Sequence, residues 1–195
     1  MPDRNCPNCG NKLPEIMQFT KMVDCDACGT TLLLDDDEMR MAGERGVMAE
    51  VPSLLALGET VKVGRRIMTP VGHIRFDYGR GWWDEFWCLD EHGIGHWLSV
   101  DEGDYAFETE LSDVPTFAWG GIEYRESRYT ASETDEATCV AFRGQLPEVI
   151  AIGETHRYTD YTNADGKLIS HEKWNGGEAW FGGEWLDPWS IWSAS

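Results

Sequence analysis

His73-Ile74-Arg75-Phe76-Asp77-Tyr78 alternates polar and apolar side chains without a break. Ile74, Phe76 and Tyr78 point one way, and His73, Arg75 and Asp77 the other. A period of two over such a run is that of a strand with one face buried. Tyr105, Phe107 and Thr109 repeat the pattern against Ala106 and Glu108. Between such runs stand turn residues: Asp101-Glu102-Gly103, Gly120-Gly121, Asp165-Gly166 and Gly176-Gly177. Asp-Gly between strand-like segments is a hairpin signal. Strands recurring about every ten residues predict a barrel or sandwich.

Outward from this region, an internal echo appears. Ala56-Leu57-Gly58-Glu59-Thr60 returns as Ala151-Ile152-Gly153-Glu154-Thr155. Each copy is followed by a strand, a glycine read as a turn (Gly72, Gly166), another strand and a Trp-rich segment, Trp83 to Leu89 and Trp180 to Leu186. The order of features suggests duplication. The expected architecture is mostly β: a small N-terminal zinc ribbon (1–34), an acidic linker (35–52), and an all-β domain (53–195) of two related barrel-like lobes, 53–119 and 120–195. Asp35-Asp36-Asp37-Glu38 ahead of Met39-Arg40-Met41-Ala42 suits a short helix start, because carboxylates favour the positive helix end. Gly43 and Gly46 keep any such helix short.

The ribbon rests on Cys6-Pro7-Asn8-Cys9-Gly10 and Cys25-Asp26-Ala27-Cys28-Gly29, two Cys-x-x-Cys pairs with fifteen residues between them. This is zinc-site spacing. Each pair forms a knuckle that aims two thiolates at one ion, and two knuckles complete a tetrahedron. Gly10 and Gly29 fall where the chain must turn sharply. Glu15 to Val23 is expected as a hairpin arm, with Ile16, Phe19 and Val23 on its apolar side. Four thiolates leave no open coordination position, so the expected ion, one zinc per chain, is structural. A redox pair or an iron site is the competing assignment.

The 195 residues carry 35 Asp and Glu against 16 Lys and Arg, a formal charge of −19. Such a surface repels phosphate backbones and anionic lipid, so nucleic acid is not an expected partner, whereas basic proteins and cationic small molecules are permitted. Ten Trp supply the apolar content that disordered acidic chains lack. Met1 to Asn5 has no apolar stretch behind a basic patch, and Leu32 to Leu34 and Leu54 to Leu57 are too short to span a bilayer. No membrane insertion and a cytoplasmic location are expected, and reduced thiols there favour metal over disulfides.

Taken together, the ribbon, the Leu-Gly-Glu segment, Trp83-Asp84-Glu85-Phe86, Gly144-Gln145-Leu146-Pro147, Gly153-Glu154 and Leu168-Ile169-Ser170-His171-Glu172-Lys173-Trp174 resemble the bacterial domain-of-unknown-function family 4178 over most of 54–186. The resemblance implies no established activity. It implies partners in bacterial membrane-stress systems, since family members are often encoded beside phage-shock-type membrane-remodelling proteins and polyamine-synthesis-like enzymes. Only the ribbon cysteines are carried over as site residues.

Three further constellations carry chemistry. Cys88, His92 and His96 would share a helical face, but Gly93 and Gly95 make a buried cysteine beside a histidine-bearing loop the simpler reading, and Cys139 reads as a core residue. Glu148, Glu154, Glu172 and Glu184 sit in the second lobe, with Glu172 the candidate for acid–base work in a hydrolase. Trp174, Trp180, Trp185, Trp189 and Trp192 crowd the C-terminus. With Glu172, the first three form a candidate cage for a cation such as a polyamine. Core filling is the competing role, and Asp187 to Ser195 is a candidate docking peptide. No phosphate loop, nucleophile elbow or His-Glu-x-x-His motif is present. The leading expectation is a non-enzymatic adaptor of the ribbon-bearing type. A polyamine sensor stands second and a hydrolase third.

Overall fold

In a computed structural model, the described residues are 4–35 and 38–194. The strands are β1 (Met22–Asp24), β2 (Thr30–Asp35), β3 (Glu38–Glu44), β4 (Val61–Val63), β5 (Arg66–Asp77), β6 (Trp82–Asp90), β7 (Gly95–Asp101), β8 (Asp104–Glu110), β9 (Thr116–Ala118), β10 (Gly121–Tyr124), β11 (Ser127–Leu146), β12 (Thr155–Thr162), β13 (Lys167–Trp174), β14 (Gly177–Leu186) and β15 (Ile191–Ser193). One 3-10 turn, Pro188–Ser190, is capped by Asp187.

Two antiparallel meanders dominate, β5-β6-β7-β8 and β11-β12-β13-β14. They take the place of the two lobes and are fused. β8 pairs with β14 along Tyr105–Glu110, and β5 pairs with β11 along Gly72–Phe76, so the eight strands close into one ring. The ring is not a regular barrel. β11 pairs with β12 through Thr130–Thr138 and only then with β5 through Cys139–Gly144. Bulges at Ala131/Glu133, Cys139/Ala141 and Pro70/Gly72 bend it.

Closure divides side chains by parity into those facing the ring interior and those facing out. Leu55, Val61, Val63, Met68, Phe86, Cys88, Leu98, Tyr105, Phe107 and Ile191 form an outer core, in which β4 and β15 cover the first meander. The β9–β10 hairpin covers the second meander, packing Ile122 on Tyr129, Tyr161, Ile169 and Trp180. Inside, Ile74, Phe76, Trp97, Ala137, Cys139 and Phe142 fill part of the ring, together with Met22 and Leu146 from the ribbon junction. The rest of the interior is polar.

The anticipated turns at Glu102-Gly103, Gly120, Asp165-Gly166 and Gly176 join β7 to β8, β9 to β10, β12 to β13 and β13 to β14. Gly72 differs. It lies inside β5, where a Cβ would come within 2.3 Å of the Gln145 carbonyl oxygen, so only glycine fits this crossing of β5 and β11. The turn in that copy is at Gly64 instead, with φ +60. The two echoed strings adopt the same turn: Glu59 N–H donates to Ala56 O (3.2 Å) and Glu154 N–H to Ala151 O (2.9 Å). They lead into β4 and β12.

The segment 35–52 also differs from expectation. No helix forms after the acidic run, of which Asp36 and Asp37 lie outside the described residues. Glu38–Glu44 is strand β3, paired with β2. Helix-start preferences are weak, and here a ladder partner and the packing of Met39 against the cluster of Leu13, Val23 and Leu32 outweigh them. The Glu15 to Val23 arm is likewise not a hairpin. Only its end enters β1, which pairs with β2 on one side and with β11 on the other (Met22↔Leu146, Val23↔Gln145). The ribbon sheet is thereby continuous with the ring. Among the described residues no helix is long and apolar enough to cross a membrane.

Candidate functional site

The cysteine knuckles form as their spacing requires. Gly10 N–H donates to Cys6 O (2.8 Å) and Gly29 N–H to Cys25 O (2.7 Å). Both glycines have positive φ, +78 and +70. The Sγ atoms of Cys6 and Cys28 are 3.8 Å apart, and those of Cys9 and Cys25 3.7 Å. All four sulfurs lie within 4.8 Å of one another. A tetrahedron with metal–sulfur bonds of about 2.3 Å has edges of about 3.8 Å, so the four thiols are placed to hold one ion. Cys6 and Cys25 are buried, whereas Cys9 and Cys28 are exposed. The Thr30 hydroxyl, 3.2 Å from Cys28 Sγ, and the Thr30 backbone hold the Cys28 thiol down to about 6, while, against the opposing Asn11 backbone, desolvation and the neighbouring thiols push Cys9 up to about 12. Among the described residues, no other group of three or more such ligands converges. Cys88 is buried in the outer core, His92 is exposed on a turn, and His96 Nδ1 sits 3.0 Å from Thr109 Oγ1.

The second site is the polar part of the ring interior. Along β6 the inward side chains run Trp87, Glu85, Trp83, and along β7 they run Trp97, Ser99, Asp101. These sequences pass from the apolar plug to a cavity of about 300 Å³. Seven carboxylates line it: Glu85, Asp101, Asp104, Glu108, Glu133, Asp160 and Glu172. Trp83, Tyr158, Trp185 and Leu168 supply apolar wall, and Lys or Arg supply none. Asp101, Asp104 and Glu133 are exposed at the mouth, and Arg80 reaches Glu133 from outside at 3.1 Å. Glu85, Glu108, Asp160 and Glu172 form a deeper tier. A narrow recess behind it adds Glu148, His156, Trp174 and Phe181.

The deep tier is electrostatically loaded. Burial, then the Glu172 charge, pushes Glu85 well above the usual carboxylate range. Burial, then Glu108, Glu148 and Asp160, does the same to Glu172. Burial and Asp160 lift Glu108 to about 7. Burial lifts Asp160 to about 6 against the opposing Ser170 hydroxyl. Burial also raises Glu148. Hydrogen bonds are few: Trp83 Nε1–H donates to Glu85 (2.9 Å), His156 Nδ1 lies 3.4 Å from Glu172, and Ser170 Oγ lies at hydrogen-bond length from both Glu108 and Asp160. Ionised carboxylates crowded in a low-dielectric space repel one another, so the arrangement favours protons or an external cation.

Of the residues singled out from sequence, Glu172 and Trp185 line the cavity, with Trp185 half-exposed at its mouth. Trp174 stacks on His156 in the recess (5.3 Å between centroids). Trp180 is not brought to them. It faces out, stacked on His171 at 3.7 Å beneath the β9–β10 hairpin, because it alternates with the inward Phe181. Trp189 is exposed and Trp192 lies beside Lys62, so the five C-terminal tryptophans form no common cage. Glu148 and Glu172 share the recess. Glu154 Oε1 lies 3.4 Å from His156 Nε2 without a hydrogen bond, and Glu184 faces Lys167 on the outside. Sequence reasoning missed Trp83, Glu85, Glu108, Tyr158 and Asp160. The available signal was parity: Glu85 shares a face with Trp83 and Trp87, and Glu108 opposes Tyr105 and Phe107.

Comparison with known families gives a match over residues 56–188 to a family described as a domain of unknown function, DUF4178. No curated protein and no solved structure matches the chain.

Proposed function

The chain belongs to the DUF4178 family, and for this member we propose that the ring is a receptor for a small organic cation with more than one ammonium group, a polyamine-like molecule. The observation that carries the reading is the cavity lining: among the described residues, seven carboxylates, three large aromatic rings and no Lys or Arg line about 300 Å³. Ammonium groups donate several charge-assisted hydrogen bonds to carboxylates. Methylene segments pack on Trp83, Tyr158 and Leu168, and a cation over an aromatic face gains further. The volume is at the lower end of ordinary ligand pockets, which suits a slender ligand. Two tiers of carboxylates, one deep and one at the mouth, suit a ligand with charges spaced along a chain. The cysteine cluster is read as one structural zinc per chain, since its four sulfurs match a closed tetrahedral site.

The role proposed is binding without chemistry, as a sensor or carrier. A second reading, a docking module for a basic or membrane-stress-associated protein, has its own support. Phe117, Trp119 and Val114 stand exposed around the β9–β10 hairpin, and Trp189 is exposed in the tail. The charge of −19 argues against nucleic acid as the partner.

Calorimetric titration of the zinc-loaded chain with spermidine at physiological salt tests the first reading. Micromolar affinity that is lost in a Glu85→Gln/Glu172→Gln double variant, and kept in Glu184→Gln on the outer face, supports it. Absence of binding to spermidine, putrescine and a lysine-rich peptide overturns it.

A further inference from the structure

Ser170 Oγ lies 2.9 Å from Glu108 Oε1 and 2.7 Å from Asp160 Oδ1. Both contacts are at hydrogen-bond length. A serine hydroxyl has one hydrogen, and an ionised carboxylate has none to offer. With both acids ionised, one of the contacts would set lone pair against lone pair. A proton on one acid removes the conflict: the protonated carboxyl donates to Ser170 Oγ, and Ser170 donates to the other carboxylate. Ser170 and Glu108 are both buried, on the wall of the cavity.

We propose that Glu108, Ser170 and Asp160 hold one proton in common at neutral pH and release it when a cation enters the cavity, making ligand capture a cation-for-proton exchange. This rests on the cation-binding reading of the same cavity and adds its regulation. The surroundings reinforce the held proton from every side. β6 contributes Glu85. β7 contributes Ser99 and Asp101, β8 adds Asp104, and β11 adds Glu133. β12 contributes Tyr158 and His156, whose Nε2 lies 3.4 Å from Glu154. β13 contributes Glu172, and Glu148 stands in the segment before β12. The inward residues of β14, Phe181, Gly183 and Trp185, carry no charge. Burial and Asp160 bring Glu108 to about 7, so Glu108 is the member that carries the proton near neutrality. On capture, the Glu108 O–H bond breaks, its proton passes to buffer, and the carboxylate left behind accepts an ammonium N–H.

Two measurements on the full chain test this, one without ligand. Infrared difference spectra across pH 5 to 9 are expected to show a protonated-carboxyl carbonyl band at pH 7 that is lost toward pH 9 and reduced in Glu108→Gln. Absence of that band in wild type at pH 7 overturns the proposal, whether or not spermidine binds. Calorimetry with spermidine, repeated in buffers of different ionisation enthalpy, is expected to show about one proton released per ligand at pH 6. Apparent affinity should rise about tenfold per pH unit below about pH 7 and flatten above it. Binding with no proton release overturns the exchange. A band at pH 7 that is reduced in Glu108→Gln, with no spermidine binding, upholds the shared proton while refuting the receptor reading, so the two failures are distinguishable.

Discussion

The carboxylate of Asp24, one residue before Cys25, accepts the backbone N–H of Gly144 at 2.6 Å. This bond ties a ribbon knuckle to β11, the strand that closes the ring. The same carboxylate meets Arg45 Nη1 at 2.5 Å, and Asp24 is only 1% exposed. One residue further along β11, the Gln145 side chain fastens the arm, accepting from Met17 N–H and the Thr20 hydroxyl and donating to Glu15 O.

If the four cysteines hold an ion, metal loading and ring stability should be coupled. Removing the ion with a strong chelator should lower the melting temperature of the whole chain in one transition, because structural metal supplies folding free energy. Asp24→Ala, which strands Arg45 and the Gly144 N–H, should cost about 2–4 kcal/mol. Scanning calorimetry checks both. Two independent transitions would mean that the ribbon is an appendage. Metal analysis should find one zinc per chain, and iron in its place would refute the zinc assignment.

The buried acids give stability a specific pH dependence. Glu108 has an ordinary value of 4.5 and is held at about 7, and Asp160 has an ordinary value of 3.8 and is held at about 6. Folding therefore takes up protons between those limits. The stabilisation is complete below the ordinary values and is lost as pH rises through 6 and 7. Asp84, where burial is outweighed by His73 and Arg75, acts in the opposite sense, but only below its ordinary range. Thermal melts should show higher stability at pH 5.5 than at pH 8, by on the order of 3 kcal/mol. Spermidine should recover most of that difference at pH 8.

Neutralising a deep acid should separate stability from binding. Glu172→Gln fixes a buried acid in neutral form while keeping its size, and should raise the ligand-free stability at pH 8 by about 1–2 kcal/mol. The same change should weaken spermidine binding at least tenfold. A variant that is both less stable and fully competent would contradict the cavity's assigned role.

The two tryptophans Trp180 and Trp185 should behave as opposites. Trp180 is core, stacked on His171, and Trp180→Ala should cost about 3–5 kcal/mol. Trp185 stands at the cavity mouth, and Trp185→Ala should change affinity with little effect on denaturant midpoint. Paired denaturation and titration curves distinguish them.

Much of the architecture was legible from alternation alone, and the cysteine site from spacing alone. What escaped was which side of each strand becomes interior. The runs Ile74-Arg75-Phe76 and Tyr105-Ala106-Phe107-Glu108 both read as apolar-in, polar-out. In the ring, Ile74 and Phe76 do face inward, but Tyr105 and Phe107 face outward beneath β4 and β15, and Glu108 faces the cavity. A sheet covered on both faces has two insides, and periodicity does not say which is which. Glu172 was visible as an acid within a strand-like run, yet its companions Glu85, Glu108 and Asp160 come from three other strands, which only ring closure brings together. Trp180 is a neighbour of Trp185 along the chain, but its parity turns it to the opposite face.

The two seams that close the ring join distant parts of the chain: Ile74 meets Phe142, and Phe107 meets Glu184. β1 waits longer still, since Met22 pairs with Leu146, about 120 residues later. During synthesis the four cysteines emerge before β11 and can gather an ion locally, while the strand on which they dock is yet to be made. Topology of this kind places most of the entropic cost of loop closure before the reward of pairing, so folding should be slow for a chain of this size. Until β11 is in place, the hydrogen-bonding edge of β1 is open, and the nascent ribbon offers that edge to any other chain nearby.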